Sequence, residues 1–270
     1  MTVAVETRHI AGAAFDKMAA QYDALFTFSM VGRTQRDVVW QRAAAVFVPG
    51  SRVLELNCGT GEDAMFLARR GVSVMACDAS AQMIERASIR KGQEARDASV
   101  DFQVLPIERL HELAAQPLFD GVFSNFSGLN CVADLPTVFK ELAMLLRPGA
   151  KLLLCLSTRF CAWEILHYAV KGNFRKAVRR CRGMSLASFD EFSFPVYYPT
   201  IRSLRRSFGP AFRLHSVTGV GITVPPSYLE SWIHRHPHLL AVLKRVDAAM
   251  CDWPLFRTVG DHMLLYMERV

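Results

Sequence analysis

Several common sequence signals are missing from this chain of 270 residues. Its 7 cysteines form no Cys-x-x-Cys pair and are odd in number, which argues against a zinc knuckle and against a disulfide framework. The chain has no run of about 18 uncharged apolar residues, and its first residues lack a basic start followed by an apolar core. We therefore expect a cytoplasmic, soluble or peripheral protein that binds no metal.

The composition is that of a folded globular chain. Hydrophobic residues make up 51% of the sequence, enough for a full core, and neither an internal repeat nor a low-complexity segment occurs. The formal net charge of +7 favours an acidic partner, such as a phosphorylated metabolite, an anionic membrane surface or nucleic acid. Because the basicity is mild, nucleic acid is the least expected of these partners.

Apolar runs and helical patterns alternate between Arg52 and Ser157. The runs are RVLEL, VSVMACD, VDFQVL, FDGVFSN and AKLLLCLS, and three of the connections are long enough to hold a helix. Such continuous apolar runs are typical of buried parallel strands. The sequence thus predicts an α/β fold, a doubly wound Rossmann-like sheet. Two later runs, 212–222 and 262–270, predict an antiparallel pair at its end.

The stretch VLELNCGTGEDAMFLARRG, residues 53–71, reads as a strand, a glycine turn and a helix. Gly59 and Gly61 let the backbone approach a ligand closely, and the helix that follows points its amides at a carboxylate or phosphate. Asp78 ends the next strand, where a carboxylate can accept both hydroxyls of a ribose. A nicotinamide site stays open as an alternative, although Ala64 replaces the third glycine of its motif. A simple tight turn is the other alternative.

These segments resemble the class I S-adenosylmethionine-dependent methyltransferases, in particular the type-11-like group that includes ubiquinone and menaquinone methyltransferases. LELNCGTGEDAMFLARRG resembles the first motif of the family and VMACDASAQMIERA the second. FDGVFSNFSGLNCVADL and LLRPGAKLLL resemble later ones. The resemblance covers Val53 to Leu156, and the ordered set is more specific than any single piece.

The resemblance implies a seven-stranded sheet with an antiparallel last strand, helical cap elements, and S-adenosyl-L-methionine as cofactor, with S-adenosyl-L-homocysteine as product. It places the methionine moiety at the glycine loop, the ribose on Asp78 and the adenine beside Met83. It also implies that Glu55 anchors the loop. The predicted cofactor-binding residues are Tyr22, Arg33, Glu55, Asn57, Cys58, Gly59, Gly61, Asp78, Ala79, Met83, Pro106, Ile107, Glu108, Asn125, Phe126 and Asn130.

Two positions depart from the family pattern. Asn57 replaces the usual first glycine, which is tolerable because asparagine enters positive φ more readily than most residues. Pro106 stands where many members have an aspartate for the adenine amino group. Adenine recognition would then rest on the backbone near Ile107 and on Glu108. Cys58 and Phe126 also fit a packing role.

The acceptor is expected to bind outside the motif-rich core. The predicted units are a helical lid (1–50), the cofactor-binding core (51–158), a substrate-cap insertion (159–199) and a C-terminal part (200–270) with a helical excursion (223–260). Within the lid, Tyr22 and Arg33 are candidates near the donor carboxylate, with packing and solvation as the alternatives. No catalytic residue is assigned.

The segment FCAWEILHYAVKGNFRKAVRRCRG joins an apolar half to a basic half. Arg175 and Arg179, and likewise Lys176 and Arg180, recur at a spacing of four, as on a helix face. Such a helix can rest on a lipid surface or guide an anionic substrate, and a solvated face is the alternative. Three histidines in HRHPH, residues 234–238, favour a solvated turn over a metal site.

The sequence therefore predicts a methyltransferase for a small hydrophobic or aromatic metabolite, lipid-linked ones included, with peripheral membrane contact as a further expectation. A nucleic-acid methyltransferase is an alternative. Its amino-methylating members are expected to carry Asn-Pro-Pro-aromatic, where this chain has Asn125-Phe126-Ser127-Gly128. A noncatalytic S-adenosylmethionine-binding protein is the other alternative.

Overall fold

The computed structural model describes residues 2–270, with side chains from Ile10 onward, so that Met1 of the predicted lid lies outside the described residues. The strands are β1 (Arg52–Leu56), β2 (Ser73–Asp78), β3 (Val100–Val104), β4 (Phe119–Ser124), β5 (Leu146–Ser157), β6 (Met184–Phe189), β7 (Phe192–Tyr197), β8 (Phe212–Val220) and β9 (His262–Arg269).

The α-helices are α1 (Thr2–Tyr22), α2 (Met30–Val46), α3 (Glu62–Ala68), α4 (Ala81–Glu94), α5 (Leu135–Leu145), α6 (Ala162–Val170), α7 (Phe174–Ala177), α8 (Ile201–Phe208), α9 (Glu230–His234) and α10 (Pro237–Met250). Side-chain caps fix several of their starts. Ser29 accepts a hydrogen bond from Gly32 N before α2, and Ser80 accepts one from Met83 N before α4.

Seven strands form one mixed sheet in the order β3-β2-β1-β4-β5-β9-β8, and β6 pairs with β7 in a separate hairpin. The first five strands are parallel, and β9 runs antiparallel to both β5 and β8. The predicted Rossmann-like sheet with an antiparallel last strand is confirmed. The last strand lies inside the sheet, because β8 occupies the edge.

The strand order reverses between β1 and β4. The chain leaves β1 for β2 and β3 on one side, then crosses to β4 and β5 on the other. The loops that follow β1 and β4 are therefore neighbours at the carboxyl edge of the sheet. In open α/β sheets, ligands bind at this point.

Each face of the sheet carries its own hydrophobic core. On one face, α5 and α8 contribute Phe139 and Phe208, while on the other α2 and α3 contribute Val39 and Met65. Since both faces are covered, the strand from Leu152 to Leu156 is buried throughout. This explains why the sequence shows continuous apolar runs in place of alternation.

The N-terminal helix α1 covers the carboxyl edge of the sheet. Asp16 Oδ1 accepts hydrogen bonds from Ser80 Oγ at 2.6 Å and Gln82 N at 3.0 Å. Asp23, which follows α1, accepts one from Thr60 Oγ1 at 2.6 Å and pairs with Arg90 at 2.7 Å. These two carboxylates fix α1 over the loops that follow β1 and β2.

The segment after β5 differs from its prediction. The helical spacing of the basic residues does not continue, because α6 ends before Gly172, whose φ is +71°, and α7 ends at Ala177. Residues 184–197 then form the β6–β7 hairpin, which the sequence prediction lacked. Its first strand carries small polar residues between the apolar ones, a weak alternation signal. Among residues 2–270, no helix has the length and apolarity needed to cross a bilayer.

Candidate active site

The loop after β1 is hydrogen-bonded to Asp78, at the end of the adjacent strand. Asp78 Oδ2 accepts from Gly59 N and its Oδ1 accepts from Ser80 N, both at 2.9 Å. Burial holds the pKa of Asp78 above its ordinary value, although these two amides act in the opposite direction. Each carboxylate oxygen retains a lone pair after these bonds. The carboxylate thus has acceptor capacity left for a pair of ribose hydroxyls.

A cleft of about 270 Å³ lies between these loops, α1 and the β6–β7 hairpin. It contains half of the predicted cofactor residues: Tyr22, Asn57, Gly59, Asp78, Ala79, Met83, Asn125 and Phe126. The two chain segments that the sequence analysis treated as core and lid therefore face one cavity. We call it the donor cleft.

The loop after β4 has an unusual backbone. Phe126 and Ser127 are consecutive non-glycine residues with φ of +48° and +69°. Their conformation is held by Asn125 Oδ1, which accepts from Phe126 N at 2.9 Å, and by a 3.1 Å bond from Ser127 N to Cys155 O. Positive φ costs such residues on the order of 1 kcal/mol each, so the surroundings must enforce it. The loop carries the Phe126 ring to the wall of the donor cleft.

Three buried polar atoms near the β1 loop lack a hydrogen-bond partner in the part of the chain that the structure describes: Glu55 Oε2, Asn57 Oδ1 and Arg36 Nε. Burial raises the pKa of Glu55 well above its ordinary value, and Asp63 raises it further. Two acceptors and one cationic donor match a zwitterion, since its ammonium donates and its carboxylate accepts. These residues thus fit the amino-acid end of S-adenosylmethionine.

Arg36 is fixed by a buried ion pair with Asp63. The same carboxylate accepts hydrogen bonds from Trp40 Nε1 at 2.5 Å and from Asn125 Nδ2 at 3.1 Å. Burial disfavours the charged form of Arg36, but the Asp63 carboxylate raises the pKa of the Arg36 guanidinium above its ordinary value. The pair joins α2, α3 and the β4 loop, so the guanidinium is held beside the donor cleft.

A second cavity, of about 320 Å³, adjoins the donor cleft. The two cavities share four wall residues: Phe15, Tyr22, Phe126 and Ser127. The far side of this second cavity comes from α2, from residues 226–228 and from the start of β9. We call it the acceptor chamber. Burial raises the pKa of Tyr22 to about 12, so its hydroxyl stays protonated at neutral pH.

A buried ionic network closes one side of the acceptor chamber. Arg180 donates to Glu164 Oε2 and to Asp261 Oδ1, both at 2.9 Å, and Arg179 donates to both oxygens of Glu164. Glu164 and Asp261 are themselves buried. Glu230 contributes a further tie, because its carboxylate accepts from Met30 N at 2.6 Å and Val31 N at 3.0 Å. The C-terminal excursion is thereby fixed to the start of α2.

Residues 53–149 match the family model described as a methyltransferase domain. This part of the chain is similar to known methyltransferase domains. The resemblance inferred from the sequence motifs is confirmed at the level of this domain, which contains the glycine loop, Asp78 and the β4 loop.

Two curated relatives bear the same name. A demethylmenaquinone methyltransferase of Thermobifida fusca (strain YX) is 33% identical over 146 residues, which are 53% of this chain and 59% of that protein. One from Mycobacterium marinum is 33% identical over 144 residues, 52% of this chain and 56% of that protein. The chain thus spans less than two thirds of the length of the curated relatives that it matches.

A solved structure supports the fold over most of the chain. The structure of a S-adenosylmethionine-dependent methyltransferase from Listeria monocytogenes, described as putative, aligns with a TM-score of 0.62 over 88% of this chain and 97% of that one. Its sequence identity is 16%, so the likeness concerns the fold alone.

Some predicted residues of the methyltransferase domain and its lid lie outside the donor cleft. Arg33 is exposed, because it points away from the sheet, and Arg36, almost one turn later, takes the position beside the cleft. Asn130 is buried and bonded to Ser157 N and Tyr197 O, so it joins β5 to the hairpin. Pro106 precedes a 3₁₀ turn at Ile107–Ala115.

The remaining predicted residues lie around the cleft. Ile107 and Glu108 line a cavity of about 70 Å³ that shares Cys131 with the cleft. Cys58 is buried and lines a small extension next to Asp63. Gly61 has no room for a side chain, since a Cβ there would lie 2.7 Å from the Phe102 ring. Its role is in packing the loop.

Sequence reasoning missed Arg36, Asp63 and His262. Arg36 stands between Gln35 and Asp37, and Asp63 follows Glu62 at the start of α3, so the local sequence does not mark either residue as buried. His262 is the first residue of the apolar strand β9, far from the motifs, and no local pattern singles it out. All three become site residues through long-range packing.

Proposed function

We propose that this chain is a S-adenosylmethionine-dependent methyltransferase that acts on a small hydrophobic or aromatic acceptor in the acceptor chamber. The observation that carries the proposal is the wall of Phe15, Tyr22, Phe126 and Ser127, which belongs to both cavities. A methyl group can pass between two ligands when both are held in contact and away from water. A common wall between a cofactor cleft and a second chamber meets this requirement.

In this proposal, residues that line the donor cleft and residues beside it bind different parts of the cofactor. Asp78 accepts the ribose hydroxyls, Glu55 and Asn57 accept from the ammonium, and Arg36 Nε donates to the carboxylate. When bound, S-adenosylmethionine supplies a methyl group already activated by a sulfonium. The chain then needs to orient the acceptor and exclude water from it. Tyr22 and Phe126 provide the aromatic surfaces at the boundary.

The lining of the acceptor chamber supports an apolar ring as the acceptor. Phe26, Val31, Pro226 and Tyr228 contribute apolar or aromatic surface. Tyr228 is 42% exposed and marks an opening to solvent. A lipid tail attached to the ring would leave there. The names of the curated relatives agree with such a lipid-linked acceptor, and this finer assignment is part of the proposal.

A substitution that fills the acceptor chamber tests the division into two cavities. Ser227→Trp places an indole in the chamber, so we expect unchanged calorimetric affinity for S-adenosylhomocysteine and loss of methyl transfer from labelled S-adenosylmethionine to quinol and phenol probes. The control is Ser231→Trp, four residues later on an exposed position. Equal transfer by both variants contradicts the chamber assignment. Label transferred to RNA in place of the probes would favour the nucleic-acid alternative.

We also propose that the surface of α6 and α7 contacts an anionic lipid surface. Leu166, Val170 and Phe174 are 58%, 81% and 69% exposed. Lys171, Arg175 and Lys176 are exposed beside them. Apolar side chains flanked by cations are the composition that binds anionic membranes. The sequence analysis grouped Arg179 and Arg180 with this surface. In the structure, both donate hydrogen bonds to Glu164.

Vesicle cosedimentation tests this contact. Replacing Lys171, Arg175 and Lys176 by Gln should weaken binding to anionic vesicles at low salt, since each cation near such a surface contributes about 1 kcal/mol. The matched control replaces Arg202, Arg205 and Arg206 of α8, which are also exposed. An equal loss in both triple variants would mean that the net charge, and not this surface, governs binding.

A further inference from the structure

His262 lies in the acceptor chamber at the start of β9, one residue after Asp261. Its ring packs edge-on against Phe126, with the ring centroids 5.3 Å apart. Phe126 belongs to the wall shared with the donor cleft. The imidazole is therefore next to the place where donor and acceptor would meet.

One edge of the imidazole lies beside a carboxylate. His262 Nδ1 is enclosed, lies 3.6 Å from Asp261 Oδ2, and has no hydrogen-bond partner within residues 10–270. Asp261 is held in turn by Arg180 and by Gln35 Nε2 at 3.5 Å. A carboxylate beside Nδ1 favours the tautomer that carries the proton there, and this leaves the Nε2 lone pair free.

We propose that His262 is the general base of the transfer and that the acceptor carries a phenol-type hydroxyl; this inference rests on the function proposed above. The hydroxyl gives its proton to His262 Nε2 while its oxygen forms a bond to the methyl carbon. The methyl–sulfur bond breaks, and its electron pair stays on sulfur. The products are a methyl ether, neutral S-adenosylhomocysteine and an imidazolium ion that Asp261 stabilises.

The other ionisable groups around the chamber keep one charge state near neutral pH. Burial raises the pKa values of Tyr22 and Tyr228. Burial disfavours the charged form of Asp261, but His262 and Arg180 lower the pKa of this carboxyl group below its ordinary value. Burial lowers the pKa of His262 itself, against the opposing influence of Asp261, so the ring is neutral and able to accept a proton. The ionisable groups that line the chamber together with His262 are Tyr22, Arg36, Arg179, Arg180, Tyr228 and Asp261.

The first test measures proton transfer without turnover. In a complex of the protein with S-adenosylhomocysteine and 4-nitrophenol, we expect the absorbance band of the phenolate at a pH where the free phenol is protonated. His262→Gln should lose this band and keep its calorimetric affinity for S-adenosylhomocysteine. The control is His215→Gln, because His215 lies on β8 and pairs with Glu268. A band that survives in His262→Gln overturns the assignment.

The second test uses labelled S-adenosylmethionine with 4-nitrophenol, phenol and 1,4-naphthohydroquinone. We expect His262→Gln to slow transfer to weakly acidic phenols by about 10²- to 10⁴-fold, the usual contribution of a general base. The acid limb of the wild-type kcat profile, set by protonation of His262, should disappear. Wild-type protein that binds S-adenosylhomocysteine but methylates none of the three probes refutes the acceptor class and leaves cofactor binding intact. Failure to bind S-adenosylhomocysteine refutes the proposed function itself.

Discussion

At the scale of single residues, some buried polar groups of the site have hydrogen-bond partners and others have none in the part of the chain that the structure describes. Asp78 already accepts two backbone amides, whereas Glu55 Oε2 and Asn57 Oδ1 are buried without a partner in the described structure. A buried acceptor left unpaired costs about 1–3 kcal/mol. We infer that cofactor binding recovers this cost, which gives the apo and bound proteins different pH dependences.

Asp78→Ala removes charge-assisted hydrogen bonds that we assign to the ribose. Such bonds contribute about 1.5–3 kcal/mol, so the affinity for S-adenosylhomocysteine should fall by about tenfold to a hundredfold. Calorimetry measures this directly. The matched control is Asp97→Ala, at an exposed position after α4. An unchanged affinity in folded Asp78→Ala protein would exclude Asp78 as the ribose ligand.

The Glu55→Gln variant tests the unpaired carboxyl group through the pH dependence of the free energy of unfolding. The folded pKa of Glu55 is raised above its ordinary value of 4.5, so its carboxyl stabilises the fold at low pH and loses this contribution as pH rises. Apo Glu55→Gln should therefore gain stability over wild type from about pH 5 upward, by at most about 1.4 kcal/mol per pH unit. Urea unfolding at several pH values measures the difference.

Bound S-adenosylhomocysteine should reverse the order, because its ammonium pairs with ionised Glu55. Glu85→Gln, an exposed position on α4, is the control and should follow the wild type. A pH-independent difference between wild-type and Glu55→Gln protein would mean that the carboxyl does not titrate in this range.

Some residues of the candidate site could be predicted from the sequence, and others could not. Gly59 and Asp78 were predicted from local spacing, and both line the donor cleft. Arg36 and Arg33 lie on one helix, and the choice between them depends on which face of α2 packs on the sheet. His262 is 136 positions from Phe126, and only the strand order brings them together. Local patterns carry no information on such pairs.

At the scale of elements, the two glycines of the loop after β1 are required for different reasons. Gly59 has φ of +54°, and an added Cβ would lie 3.7 Å from Tyr22, on the side of the donor cleft. Gly61 has φ of +77°, and its Cβ would lie 2.8 Å from Ala87 Cβ. The first position has space in the protein and faces the donor cleft. The second has none.

Gly59→Ala and Gly61→Ala should therefore fail in different assays. Gly59→Ala should cost about 1–2 kcal/mol of stability through its backbone conformation and weaken S-adenosylhomocysteine binding more than tenfold. Gly61→Ala adds a steric clash to a similar backbone cost, so its free energy of unfolding should fall further. Urea unfolding and calorimetry on both variants compare the two. If Gly59→Ala keeps the wild-type affinity for S-adenosylhomocysteine, the loop is a simple turn and does not contact the ligand through Gly59.

The elements outside the methyltransferase domain were harder to predict than those inside it. The runs between Arg52 and Ser157 gave the strands and helices because both faces of the sheet are buried. The insertion after β5 has half-exposed elements, and three of its charged residues, Glu164, Arg179 and Arg180, belong to an internal network. The spacing of Arg175 and Arg179 predicted one helix face, but α7 ends at Ala177, between the two residues.

At the scale of the molecule, the added elements enclose the carboxyl edge of the sheet. Helix α1 and the β6–β7 hairpin border the donor cleft, and α2 with residues 226–228 borders the acceptor chamber. Glu230, Asp16 and Asp23 fix these additions to one another and to the domain. The domain supplies the loops that line the donor cleft, and the additions supply most of the second chamber.

The crystal structure of the complex with S-adenosylhomocysteine tests the central claim most directly. We expect the ribose hydroxyls on Asp78 and the amino-acid end between Glu55 and Arg36. We also expect the sulfur at the wall formed by Tyr22 and Phe126, facing the acceptor chamber. A ligand bound in another cavity, or a sulfur turned away from the acceptor chamber, would contradict it.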